Sequence, residues 1–145
     1  MSRFLRSKVG FSLVELLVVI VVLAILAAIV LPKLVGANTR NKEQELRSCL
    51  QLLRNAVQAF YAHTGVYPIR LSDLSATSAP PIGLSEDGYP KPINSAKWRG
   101  PYVDSIPADP VSGRPFIYIT SKPNVGKIQS SALGNSVDGK PYSEW

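Results

Sequence analysis

The chain has 145 residues, a formal net charge of +6 at pH 7 and 46% hydrophobic residues. This length allows one domain of ordinary size. Three of the positive charges, Arg3, Arg6 and Lys8, lie in the first ten residues. The remainder of the chain therefore carries only about +3, which is too little charge to indicate nucleic-acid binding. The single cysteine, Cys49, excludes an intrachain disulfide.

The first predicted element is an apolar run near the N-terminus. Residues 11–31 are apolar except for Ser12 and Glu15. A helix of this length is about 30 Å long, which matches the hydrocarbon core of a bilayer. A charge inside a membrane helix costs on the order of 2.5–3.5 kcal/mol. We therefore expect the carboxylate of Glu15 to have a partner.

Three interpretations of this run compete. A secretory signal peptide has an apolar region of about 7–15 residues that is followed by a small-x-small cleavage site. The run in this chain is longer, and residues 24–28 contain no Ala-x-Ala pair. A plain signal anchor accounts for the length but gives Glu15 no role. The third interpretation also accounts for the basic residues that precede the run.

The third interpretation rests on a short motif. Three basic residues precede Gly10, Phe11 follows directly, and Glu15 is the fifth residue when Phe11 is counted as the first. In the same count Pro32 stands at position 22. This pattern resembles the class III leader of type IV pilins and type II secretion pseudopilins, in which residues 1–10 would be the cleaved leader.

The resemblance implies roles for these residues. The chain is expected to be cleaved between Gly10 and Phe11 and to be N-methylated at Phe11. Glu15 would neutralise the N-terminal amine of a neighbouring subunit, because either charge alone is heavily penalised among apolar helices. Pro32 is the other residue that the resemblance links to assembly. The implied partners are further copies in a helical filament, a prepilin peptidase, minor pseudopilins and an inner-membrane assembly platform.

Beyond Pro32 the sequence becomes polar but keeps helical periodicity. One face carries apolar residues at spacings of three and four: Leu46, Cys49, Leu50, Leu53, Val57 and Phe60. The opposite side is polar: Arg40, Glu43, Gln44, Arg47, Gln51, Arg54 and Gln58. Gly65 and Pro68 supply a stop. The sequence predicts one helix from Phe11 to Thr64, with a kink or a loosened turn at Pro32.

The rest of the chain predicts a small β-sheet. Residues 65–96 are rich in Pro, Ser and Gly and indicate a loop with at most one turn, near Ser72–Ser75. Phe116–Thr120 and Lys127–Ser131 predict an antiparallel hairpin, and Tyr102–Val103 a third, short strand. The predicted fold class is α+β, pilin-like, with a long N-terminal helix packed on a small antiparallel sheet.

The predicted elements, together with the leader that the resemblance implies, divide the chain into four expected segments. Residues 1–10 are the leader, 11–32 the transmembrane or filament-core part of the helix, and 33–64 its amphipathic half. Residues 65–145 form a periplasmic head of loops and sheet.

The C-terminal half carries a second resemblance. Trp98–Tyr102, Ile106–Pro110 and Gly113–Tyr118 look like the corresponding block of the major pseudopilin of type II secretion. The resemblance implies a calcium ion in the C-terminal loops, held by backbone carbonyls and acidic side chains. Calcium takes about six to eight oxygen ligands, whereas this tail has few carboxylates, of which Asp138 is the best candidate ligand. An ordinary turn at Asp138–Gly139 is therefore favoured over a calcium site.

The other candidate residues are interpreted as structural. Cys49 fits a small buried hydrophobic residue better than a redox group. His63, near the helix end, fits a cap or a surface residue. Four aromatic residues are assigned to the core rather than to a ligand platform: Trp98, Tyr102, Phe116 and Tyr118. No phosphate loop, metal-ligand cluster or nucleophile motif appears in the sequence, so we predict that the chain is not an enzyme.

The predicted function is that of a structural subunit of a pilus-like filament, the major pseudopilin of a type II secretion system. The leader charges place the N-terminus in the cytoplasm and the head in the periplasm, with one span of the inner membrane. Two alternatives stay open: a type IV pilin that serves adhesion, motility or DNA uptake, and a monomeric single-span protein that binds a ligand. Glu15 and the leader argue against the monomer, which needs neither.

Overall fold

The computed structural model describes residues 12–145, apart from the side chains of residues 29–37. A single helix, α1, spans Leu13–Thr64. Its predicted first residue, Phe11, lies outside the described residues. Pro32 lies within α1, but its side chain is also outside the described part, so the kink expected there stays a prediction.

The helix ends at Thr64, as predicted. Gly65 follows with a φ of 73°, a left-handed conformation that glycine adopts without steric cost. The Gly65 N–H donates to the Tyr61 carbonyl at 2.7 Å. The Thr64 hydroxyl donates to the Phe60 carbonyl, also at 2.7 Å, so the last turn of α1 is closed by both backbone and side chain.

The chain divides into two compact units at the boundary between Asn38 and Thr39. The N-terminal unit contains the first part of α1. The C-terminal unit, residues 39–145, contains the rest of α1 and all four strands that the structure describes. Of the helices that the structure describes, none combines the length and the apolarity needed to cross a membrane.

The core of the C-terminal unit lies along one face of α1. Leu46, Leu53 and Phe60 are all 0% exposed. The chain that follows the helix covers them with buried side chains: Val66, Leu74, Val103, Phe116, Ile128, Ala132 and Tyr142. Full burial of one large apolar side chain contributes on the order of 1.5–3 kcal/mol. The predicted apolar face is confirmed, with Cys49 half-buried against this core.

A hairpin lies where the sequence indicated only loop. Strand β1, Ile82–Leu84, pairs antiparallel with β2, Pro90–Pro92, with Gly83 opposite Lys91. Prolines argue against a central strand, but β2 is the outer strand of a two-stranded sheet, where a missing N–H is tolerated. The turn is closed by the Ser85 N–H, which donates to the Tyr89 carbonyl at 2.8 Å. The loop prediction for this part of residues 65–96 was therefore wrong.

The inner edge of β1 packs closely on the chain that leaves the helix. Leu84 and Tyr67 exchange two backbone hydrogen bonds, each 2.7 Å long. A Cβ atom added to Gly83 would lie 2.5 Å from a methyl carbon of Val66, so only glycine fits this approach.

The predicted C-terminal hairpin is present but shorter than expected. Strand β3, Ile117–Tyr118, pairs antiparallel with β4, Ile128–Gln129. Ile117 lies opposite Gln129, and Tyr118 lies opposite Ile128. Ile128 is fully buried, whereas Ile117 is 49% exposed, so this sheet contributes one strand face to the core.

The third strand that was predicted at Tyr102–Val103 is not formed. The N–H groups of both residues donate to the same acceptor, the Leu74 carbonyl, at 2.8 and 3.3 Å. Leu74 belongs to a short 3-10 helix, Leu71–Ser75, at the position of the predicted turn. Because the Leu74 carbonyl accepts both of these N–H groups, they are not available to pair Tyr102–Val103 with another strand.

The buried face of α1 leads to a stability prediction. Leu53→Ala removes a completely buried side chain and opens a cavity, and we expect it to lower the free energy of unfolding by about 2–4 kcal/mol. Gln51→Ala changes an exposed position on the same helix and should cost less than about 0.5 kcal/mol. Urea denaturation of the full-length chain, followed by tryptophan fluorescence, measures both. Equal losses would contradict the assignment of the helix faces.

Candidate functional site

The N-terminal unit exposes apolar side chains on all sides of the first part of α1. The large hydrophobic residues from Leu13 to Leu26 are each between 43% and 83% exposed. They occupy almost every successive helical position, so this stretch has no polar side. A helix that is apolar on all sides needs a membrane or other helices to cover it. This stretch is the candidate assembly surface.

Glu15 is the one charged residue among residues 12–28. It is exposed and lies in the first turn of α1, where the helix dipole favours a negative charge. The N-terminal unit thus presents a single carboxylate near the start of an apolar helix. The predicted processing positions, Gly10 and Phe11, lie outside the described residues, so their pairing with Glu15 stays a prediction.

A second polar site ties the C-terminal tail to α1. Glu43 was assigned to the polar side of the helix, but only 5% of it is exposed. Its Oε1 atom accepts a hydrogen bond from the Tyr142 hydroxyl at 2.7 Å and one from the Val137 N–H at 2.8 Å. The assignment was wrong because the tail, residues 133–145, folds over this part of the helix and covers it.

Two arginines on this side of α1 contact later segments of the same chain. Arg47 donates to the Asp138 carboxylate at 3.3 Å, and its guanidinium carbon lies 4.5 Å from the centre of the Trp145 ring. Arg54 donates to the Ile128 carbonyl at 3.0 Å. The tail is therefore held to the helix by the hydrogen bonds of Glu43 and Arg47 and by one cation–π contact, and Arg54 ties β4 to the same helix.

The contact between Tyr142 and Glu43 has a pH dependence. Burial, together with the hydrogen bond to Glu43, raises the pKa of Tyr142 from 10.0 to about 12. A phenol with a higher pKa in the folded state stabilises the fold while it is protonated. This contribution is complete below pH 10 and is lost as the pH rises through about 12.

Asp109 is a buried anchor whose role the sequence did not reveal. It is 0% exposed, and its carboxylate accepts four hydrogen bonds. The donors are the Ser130 hydroxyl at 2.5 Å and the N–H groups of Val111, Ser112 and Ser131 at 2.8 to 3.1 Å. Although burial favours the neutral acid, these bonds hold the pKa of Asp109 below its ordinary 3.8. Its stabilising effect is present above that pH and is lost as the pH falls through the lower folded value.

The remaining candidate residues take structural positions. Burial, with smaller effects of Glu45 and Asp109, raises the pKa of the Cys49 thiol, which disfavours the thiolate form. The exposed His63 lies 3.1 Å from the Tyr102 hydroxyl. The four aromatic residues lie in or against the core: Trp98, Tyr102, Phe116 and Tyr118.

Comparison with known proteins assigns the chain to a family. Residues 6–31 match the prokaryotic N-terminal methylation motif, and residues 33–143 match the family model of type II secretion system protein G. The type II secretion system core protein G of Klebsiella pneumoniae is 33% identical over 140 residues, which cover 96% of this chain and 91% of that protein. The protein of the same name from Vibrio cholerae is 32% identical over 110 residues, or 72% and 75% of the two chains.

The chain belongs to the type II secretion system protein G family. The predictions of an α+β pilin-like fold and of a major pseudopilin are thereby confirmed. Members of this family are structural pseudopilins, which implies anchoring in the inner membrane and filament assembly with other secretion components. The type IV major pilin protein PilA of Myxococcus xanthus is 35% identical over 66 residues, which cover 46% of this chain and 30% of that protein. No solved structure matches the chain.

Asp138, the candidate calcium ligand, lies in a tight turn beside a basic residue, and the calcium site that the protein G resemblance implies stays a prediction. The Asp138 carboxylate lies beside the Arg47 guanidinium, whose positive charge disfavours a second cation. The Gly139 N–H donates to the Ser136 carbonyl at 2.9 Å, and Gly139 has a φ of 79°, which together form a tight turn. Among the described residues, no three His, Cys, Asp or Glu side chains are grouped, so a calcium ion in this tail would depend on backbone carbonyls for most of its ligands. The geometry supports the ordinary turn at Asp138–Gly139.

The two hydrogen bonds that Glu43 accepts lead to a second stability prediction. Glu43→Ala leaves the Tyr142 hydroxyl and the Val137 N–H without an acceptor, and each unsatisfied donor costs about 1–3 kcal/mol. We expect the free energy of unfolding to fall by about 2–4 kcal/mol, whereas the exposed neighbour Gln44→Ala should change it by less than about 0.5 kcal/mol.

Urea denaturation of the full-length chain measures these changes.

A separate measurement tests for calcium in the tail. The melting temperature of the wild-type chain should be the same in EDTA as in calcium. A large rise in melting temperature on adding calcium would show that the tail is held by the ion instead of by Glu43.

Proposed function

We propose that the chain is made as a precursor, cleaved after Gly10, N-methylated at Phe11 and polymerised through its N-terminal helix into a periplasmic filament. Residues 11–32 form the membrane anchor before assembly and the filament core afterwards. Residues 33–64 and 65–145 form the scaffold helix and the head. In this proposal the chain is a structural subunit and not an enzyme.

The exposed apolar surface of α1 is the observation that carries this proposal. Twelve large hydrophobic residues between Leu13 and Leu26 are exposed in the single chain. Each contributes on the order of 1.5–3 kcal/mol when it is fully buried. Lipid covers this apolar surface in the monomer, and the helices of neighbouring subunits cover it in a filament.

Glu15 supplies the polar part of assembly in this proposal. Cleavage after Gly10 creates a positive amino group on Phe11, and methylation keeps its charge. In a low-dielectric filament core an isolated amine and an isolated carboxylate are each unfavourable, whereas the pair is stabilised by its attraction. The amine of an incoming subunit therefore pairs with the Glu15 carboxylate of its neighbour and sets the axial register. Pro32, at the end of the core segment, allows the helix to bend there.

The leader sets the topology and the partners. The basic residues Arg3, Arg6 and Lys8 keep the N-terminus in the cytoplasm, where a prepilin peptidase cleaves it, and the head is periplasmic. Minor pseudopilins and an inner-membrane platform start and extend the filament. Nucleic acid is not a predicted partner, since the chain without its leader carries only about +3.

A type IV pilin is the second candidate function. The similarity to the Myxococcus xanthus type IV major pilin supports it over 66 residues. The longer similarity to secretion proteins favours the pseudopilin. Deletion of the gene should therefore block export of folded proteins and leave surface pili unchanged; the reverse outcome would favour the pilin.

Leader processing is the first test of this proposal. Gly10→Val places a branched side chain at the cleavage position and should leave the uncleaved precursor in the inner membrane. Val9→Ala should still be cleaved. Mass spectrometry of the purified chain measures both. A wild-type protein that keeps Met1 and shows no cleavage after Gly10 would contradict the proposal.

The charge of Glu15 gives the second test. Glu15→Gln removes the charge but keeps the size, so the amine of Phe11 loses its partner, at a cost of about 3–5 kcal/mol. This corresponds to a loss of at least about a hundredfold in the assembly equilibrium. The variant should still insert in the membrane and be cleaved after Gly10.

Electron microscopy of sheared filaments measures assembly, and Ser12→Ala, one residue before the start of α1, serves as a control. Normal filaments from Glu15→Gln would show that apolar packing alone sets the register.

A further inference from the structure

Three adjacent cavities follow one edge of α1 in the C-terminal unit. Their volumes are about 230, 420 and 350 Å³. The first and second share Arg47 as a lining residue, and the second and third share Arg54. Arg40 lines the first and Lys127 the third, so basic residues mark the whole row. We call this row the basic groove.

The helical repeat explains the groove. Arg40, Arg47 and Arg54 are seven residues apart, which places them on the same edge of α1 at intervals of about 10 Å. The middle cavity combines the charges of Arg47 and Arg54 with the apolar surfaces of Leu50 and Trp145, and no acidic residue lines it. Glu43 and Asp138 both line the first cavity and offset much of the charge of Arg40 and Arg47, so the excess positive charge of the row lies in the middle and third cavities, at Arg54 and Lys127. The basic groove is therefore suited to an apolar knob that is flanked by carboxylates.

The opposite edge of α1 carries such a surface. Leu52 is 51% exposed and lines a separate cavity of about 420 Å³ in which Asp104 is the only charged lining residue. Leu52 precedes Arg54 by two residues, which places it about 160° away around the helix. Glu45 is exposed and lies seven residues before Leu52, on the same edge. We call Glu45, Leu52 and Asp104 the acidic face.

We propose that the acidic face of one copy docks in the basic groove of a second copy, an inference that rests on the proposed filament function. Leu52 enters the middle cavity between Leu50 and Trp145. Asp104 and Glu45 then approach the arginines of the neighbour, so the surfaces match in both apolar content and sign of charge.

The two surfaces differ and lie on opposite edges of one helix, which makes the contact heterologous. A heterologous contact that does not close into a ring extends into an open polymer. Lateral contacts between C-terminal units would thus repeat along the filament.

Cysteine crosslinking distinguishes this contact from a symmetric one. Full-length chains that carry Cys49→Ala and either Leu52→Cys or Asn55→Cys are given different tags and are expressed separately or together. Asn55 lines the middle cavity of the basic groove. Oxidation of assembled filaments should crosslink the two chains only when both are present. Self-crosslinking of Leu52→Cys to the same extent, or no mixed product in intact filaments, would overturn the contact.

Charge reversal tests the electrostatic part. Asp104→Arg in the chain that carries Leu52→Cys should reduce the mixed crosslink by about tenfold. Arg54→Asp in the chain that carries Asn55→Cys should then restore most of it. Asp87→Arg makes the same charge change at an exposed ion pair with Lys122 and should have little effect. Unfolding by urea verifies that each variant is folded. Equal effects of Asp104→Arg and Asp87→Arg would overturn the pairing.

The same experiments separate this inference from the proposed function. Normal wild-type filaments without the mixed crosslink would overturn the docking of the acidic face and leave the proposed function intact. A wild-type chain that forms no filaments in the presence of the secretion machinery would contradict both.

Discussion

The C-terminal unit depends on the contact between one face of α1 and the chain that follows it. Leu46, Leu53 and Phe60 are completely removed from solvent by this contact. The four described strands contain only two or three residues each, and two-stranded sheets of this size are not stable by themselves. The helix therefore supplies the rigid half of the core, and the loops and hairpins take their conformation from packing against it.

Buried carboxylates then fix the loops that the small sheets leave unsupported. Asp109 gathers four donors from two segments of chain, and Glu43 joins the helix to the C-terminal tail. A buried carboxylate is costly unless hydrogen bonds satisfy it, so both residues tolerate few substitutions. These contacts do for this unit what disulfides or metal ions do in many small domains.

The sequence predicted the features that follow from periodicity and composition. Leu53 belongs to a set of apolar residues that recur on one helical face, so its burial was predictable. The helix end was predictable too, because glycine at position 65 is a local stop signal. Glu43 was not, because on the helix alone it belongs to the polar side and only the distant tail buries it. The strand Pro90–Pro92 was missed because proline has no N–H to donate and so disfavours a strand. In a two-stranded sheet the outer edge of this strand pairs with nothing, so the missing N–H groups are tolerated there.

The central claim is that neighbouring copies cover the apolar part of α1 and that Glu15 neutralises an amine inside that contact. A cryo-electron-microscopy reconstruction of the assembled filament tests it most directly, because it resolves the surroundings of each N-terminal helix. The account predicts a bundle of apolar helices at the filament axis, with each Glu15 carboxylate within about 4 Å of the Phe11 amine of a neighbouring subunit. A filament in which Glu15 faces solvent, or in which the N-terminal helices do not touch one another, would contradict it.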